Sequence, residues 1–146
     1  SSSSYPSIKK KYFLEKAKDF ELAQKLYDLV CEELSVNCSV AVLQKDIKTA
    51  NGYDKVVCEF DTNISLPENA FTYSVGQSDA DICGFNFQKR EMSKSIDLFS
   101  QSFMGRVNIP LESEFTEVSV LLCAAGFVGA GISLSQVLKA INAKLS

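Results

Sequence analysis

Apolar positions recur at helical spacing from Tyr12 to Leu34. Phe13, Ala17, Phe20, Ala23, Leu26, Tyr27, Val30 and Leu34 make one stripe, and Lys16, Lys18, Glu21, Lys25, Asp28 and Glu32 occupy much of the opposite side. The spacing predicts an amphipathic helix with one buried face. Two β-compatible runs follow, 38–48 and 53–61, with Asn51-Gly52 between them. Asn-Gly suits the central positions of a type I′ turn, since both need positive φ. This predicts a hairpin with Ile47 opposite Val56 and Leu43 opposite Phe60. Alternation over 70–75 and 81–87 predicts a second strand pair, turned through Gly76–Ala80. Ile96, Phe99 and Phe103 then fall at i, i+3 and i+7 behind Ser93, which predicts a helix ended by Gly105.

The last third reads differently. From Val118 to Leu138 there is no charged residue. The run closes in a stripe of Leu134, Leu138, Ile141 and Leu145, which predicts a helix from Ser133 or Ser135 to Leu145. The fold expected is α+β: a two-layer sandwich of an antiparallel sheet and flanking helices, in the order helix, two strand pairs, helix, buried segment, helix.

Composition adds bounds. The 146 residues fit one domain, expected over 12–146, with 1–11 disordered or tag-like. Apolar residues at 46% and charged ones at 23% are ordinary globular values. A net charge of −3 disfavours nucleic acid, and Lys9, Lys10 and Lys11 read as a solvated helix approach. The absence of histidine removes Ser-His-Asp and Cys-His nucleophile pairs and the Cys-His zinc sites within this chain. The five cysteines form no C-x-x-C pair and sit in apolar stretches, as buried thiols of a reducing compartment do. A cytoplasmic location is expected on that ground. The sequons Asn37-Cys38-Ser39 and Asn63-Ile64-Ser65 keep a secreted chain as the alternative.

Three features carry candidate chemistry. The charge-free run is about long enough to cross a bilayer, but Gln136, the serines and Gly126, Gly129 and Gly131 interrupt it, so a membrane segment is the weaker reading. Gly126, Phe127, Gly129 and Gly131 are candidates for an interface or for an anion cradle, although their order matches no dinucleotide or P-loop fingerprint. Asp79 and Asp81 are a weak pair for Ca²⁺ or Mg²⁺, without the further ligands of an EF-hand. No cofactor is expected. The function expected is a non-enzymatic protein-binding module (adaptor, chaperone-like or regulatory) that self-associates through the small and apolar residues near its C-terminus. The alternatives are a small-ligand or metal-dependent enzyme at one of the two turns, or a membrane-active or secreted protein.

Overall fold

A computed structural model describes residues 18–35, 41–43, 56–60, 68, 70–76 and 79–146. Among these residues three helices, α1 (Lys18–Leu34), α2 (Glu117–Gly129) and α3 (Leu134–Leu145), accompany six strands. These are β1 (Ala41–Leu43), β2 (Val56–Glu59), β3 (Ala70–Val75), β4 (Ile82–Lys89), β5 (Ser93–Ser100) and β6 (Phe103–Pro110), and they lie in that order across one sheet. The architecture is mixed α+β with flanking helices, as expected. The sheet, however, is mixed: β1 to β4 run parallel, and β4 to β6 antiparallel.

The expected hairpin, and the antiparallel pairing expected of the second strand pair, are therefore corrected. Ala41 pairs with Val56 and Leu43 with Cys58, so β1 and β2 run the same way and no two-residue turn can join them. Alternation is common to both kinds of pairing, and Asn51-Gly52 lies outside the described residues. Likewise Tyr73 pairs with Ile82 and Val75 with Gly84 in parallel. Only 76–81 connect β3 to β4, far fewer residues than a parallel crossover usually takes. A brace holds this tight return. Asp81 Oδ2 accepts from the Thr72 backbone N–H (2.8 Å) and hydroxyl (3.2 Å), and the Asp81 N–H donates to Thr72 Oγ1 (3.0 Å). Gly76, with φ +79, starts the reversal in a conformation that glycine adopts without strain.

The expected helix at Ser93–Gly105 is a β-hairpin. β5 and β6 pair from Ser93 opposite Pro110 to Ser100 opposite Phe103. The two loop residues, Gln101 (φ 51) and Ser102 (φ 68), both have positive φ, as a type I′ turn requires. Neither is a residue type that announces such a turn. The spacing of Ile96, Phe99 and Phe103 is a coincidence of two faces: Ile96 is buried under α2, while Phe99 lies on the opposite side.

The charge-free run is α2, a Schellman turn and α3. Thr116 caps α2, its hydroxyl accepting from the Ser119 N–H (3.1 Å) while Ser119 Oγ accepts from the Thr116 N–H (2.9 Å). The same Thr116 hydroxyl donates to Asp19 Oδ1 of α1 at 2.5 Å. Every residue of α2 from Ser119 to Gly129 is buried. One side of α2 lies on the sheet, and α1 packs over α2 and α3. Tyr27 of α1 stacks on Phe127 with ring centroids 4.1 Å apart and planes 14° off parallel. A helix covered on all sides has no face for a charge, which accounts for the composition of the run.

The helices lie on one face of the sheet. Gly84 of β4 and Ile96 of β5 meet Leu121 of α2, and Gly105 of β6 sits under Leu138 of α3. A side chain at Gly84 or Gly105 would occupy space these leucines or Ile96 fill. The other face of β4–β6 carries Phe85, Ser95, Asp97, Phe99, Met104, Arg106 and Asn108 by strand alternation.

Candidate functional site

The glycine candidates are structural in their placement. Gly126 and Phe127 are inside α2, and Gly129 lets its last turn approach β2 and β3. A Cβ there would lie 3.2 Å from Val57 and 3.3 Å from Phe71. Gly131 (φ +105) closes the helix: its N–H donates to Val128 O (3.0 Å) and the Ile132 N–H to Phe127 O (3.1 Å). Those two bonds define a Schellman motif. The Ala130 N–H donates to Gly126 O and Phe127 O, both at 3.1 Å. The backbone donors of 130–132 are thus taken by α2's own carbonyls, at the negative end of a helix, which opposes anion binding. The same burial takes up the apolar surface that motivated self-association.

Asp79 is exposed, and the Asp81 carboxylate is engaged by Thr72. Among the described residues no group of three or more His, Cys, Asp or Glu side chains could hold a metal ion. No described helix is long and apolar enough to cross a membrane. Burial, with a smaller contribution from Asp81, pushes the Cys58 thiol up to about 11, and burial raises Cys123 as well. Both shifts oppose the thiolate that a nucleophile needs.

Polar side chains converge elsewhere, on the outer face of β4–β6. β4 carries a bulge: Phe85 pairs with Asp97 and Gln88 with Ser95, three steps against two. Asn86 takes a left-handed conformation there (φ 54), and its Nδ2 donates to Asp97 Oδ2 at 2.7 Å. Arg106 of β6 grips the same carboxylate from across the ladder, Nε to Oδ1 at 2.7 Å and Nη2 to Oδ2 at 3.3 Å. On the β4 side Gln88 Nε2 donates to Asn86 Oδ1 (3.2 Å), and Arg90 donates to Gln88 Oε1 (2.5 Å) and Ser95 Oγ (3.0 Å). Asp97 is thereby buried yet fully partnered. The Arg106 hydrogen bonds, with help from Asn86 and the charge of Arg90, hold its carboxyl below the usual carboxylate range against the opposing effect of burial.

Exposed apolar residues flank this network at both ends. Phe99 and Met104, neighbours across the β5–β6 ladder, are 40% and 59% exposed. At the far end Met92 is 75% exposed, and its carbonyl accepts from the Leu111 N–H at 3.2 Å. None of these residues is a site candidate in the sequence, and Phe99 enters there only as part of the expected helix stripe. One signal was present: the chain has only two arginines, Arg90 and Arg106, against thirteen lysines, and both are in this network.

No protein-family model and no curated protein matches the chain. Solved structures give distant likenesses. One is crystal structure II of MurF from Acinetobacter baumannii, at 12% identity and TM-score 0.46, covering 73% of this chain and 21% of that one. Another is a UDP-N-acetylmuramoyl-L-alanyl-D-glutamate–2,6-diaminopimelate ligase, at 18% identity and TM-score 0.48, covering 88% of this chain and 25% of that one. The chain spans a quarter or less of the length of these enzymes. At such scores the likeness carries no argument about activity.

Proposed function

We propose that the chain is a non-enzymatic protein-binding module whose contact surface is the outer face of β4–β6. The observation that carries this reading is the ordered Arg90–Gln88–Asn86–Asp97–Arg106 network with exposed Phe99 and Met104 beside it. Aromatic residues, methionine and arginine are the types enriched at protein interfaces. The network fixes long side chains before a partner arrives, which lowers the entropy lost on binding. A partner that fits presents a carboxylate to Arg90, whose own bonds are to the neutral Gln88 and Ser95, and an apolar side chain to the Phe99–Met104 pair. The bulge at Asn86 positions the network; no nucleophile or proton-transfer pair is involved. Buried thiols at Cys58, Cys83 and Cys123 support a cytoplasmic setting for the module.

The test is paired affinity capture from the source cells with the native chain and with a Phe99→Ser/Arg90→Ala double variant. Proteins held by the native chain should be lost from the variant. A partner retained equally by both would place the contact elsewhere and refute this surface.

A further inference from the structure

Among the described residues β6 is the last strand of the sheet, and an unguarded edge strand is a template for another chain. In a two-residue hairpin the pair next to the loop, here Ser100 and Phe103, exchanges the close hydrogen bonds, and the pattern alternates from there. The backbone groups of Met104, Arg106, Asn108 and Pro110 therefore point away from β5. Pro110 has no N–H, and its carbonyl accepts from the Ser113 N–H at 3.0 Å. The middle of the edge is closed by a side chain. Asn142 of α3 accepts from the Asn108 N–H at 3.3 Å and donates to the Arg106 carbonyl at 3.2 Å. The two partners also fix which way the amide points, since an N–H can only donate and a carbonyl only accept. Asn142 thus presents one donor and one acceptor where an adjoining strand would present its peptide group. Leu138, one turn earlier on α3, seats the helix against Gly105 and so sets the reach of Asn142.

We infer that Asn142 is an edge guard, and that removing its carboxamide opens β6 to antiparallel pairing with the β6 of a second copy of this chain. A second copy fits because the groups at the edge are self-complementary. Around a two-fold axis through Arg106, each free donor of one copy meets an acceptor of the other, and Met104 comes opposite Asn108. The Arg106 charge is already matched by Asp97 within each copy. The inference does not depend on the outer-face reading.

The experiment is sedimentation velocity over a concentration series, with hydrogen exchange at the Asn108 amide, on the native chain, Asn142→Ala and Asn142→Ala/Met104→Pro. The proline removes an edge-facing donor and leaves the β5 ladder intact. The native chain should show no β6-mediated dimer and a protected Asn108 amide. Asn142→Ala should self-associate at least about tenfold more tightly, with the amide fast at low concentration and slow at high. Adding Met104→Pro should restore the monomer, with the Asn108 amide fast at every concentration because its acceptor is still missing. A monomeric Asn142→Ala with a fast Asn108 amide at every concentration overturns the inference. So does a dimer that survives Met104→Pro, or a native dimer that Met104→Pro abolishes. Should the alanine variant not fold, Asn142→Asp, which keeps the acceptor for Asn108 and loses the donor for Arg106, is read by sedimentation alone: a dimer that Met104→Pro abolishes supports the inference and a monomer overturns it.

Discussion

The two faces of β4, β5 and β6 are built from the same eight-residue strands, yet they solve opposite problems. On the inner face Gly84, Ile96, Leu98, Val107 and Ile109 lie under α2 and α3, and the aliphatic residues among them are fully buried. On the outer face the same strands set a buried, partnered Asp97 between exposed Phe99, Met104 and Arg106. Inner residues are chosen for volume and outer ones for hydrogen-bond geometry. The difference separates the surface that holds the molecule together from the one left to solvent.

That separation can be broken deliberately. The largest effect is expected for Phe127→Ala, which removes the ring between α1 and the sheet side of the core. It should cost about 3–5 kcal/mol in a denaturant titration. Gly105→Val comes next, because the new side chain meets Leu138 and pushes α3 off β6; a loss of roughly 1–3 kcal/mol is expected. The acid limb of stability should show Asp97. Its carboxyl titrates lower in the folded chain than the unfolded value of about 4. The stability it contributes is therefore complete above that value and is lost as pH falls through the lower folded one. Asp97→Asn should flatten that part of the profile and, because the contribution is complete above it, lower stability at neutral pH as well. The smallest effect is expected for Phe99→Ser, within about 0.5 kcal/mol of native. If it matched Phe127→Ala, the two faces would not differ in kind.

The helices α1 and α3 over the inner face were legible in the sequence, and the outer face was not. α1 showed in its stripe through Leu26, Tyr27 and Val30, and α3 in Leu134, Leu138 and Ile141, because burial imposes a period. The charge-free run announced burial correctly, but a helix covered all round has no stripe, so nothing marked it as helix. β5 misled because Ile96 and Phe99 are both apolar while facing opposite ways. Its turn also hid, since Gln101 and Ser102 hold positive φ without the glycine or asparagine that usually signals it. Direction along a strand leaves no trace in alternation, which is why parallel pairing at Tyr73 and Ile82 was missed. The outer network depends on residues brought together from three strands and a bulge, and single-sequence spacing is blind to that.

The stacking of Tyr27 on Phe127 also has a consequence for biosynthesis. One hundred residues separate the two rings. At about 5–20 residues per second, α1 leaves the ribosome several seconds before the helix it must cover exists. Throughout that interval Leu22, Leu26, Tyr27 and Val30 have nothing native to bury against. The nascent chain therefore carries an adhesive α1 until α2 is made, and its yield in a cell should track how well holding chaperones cover that wait.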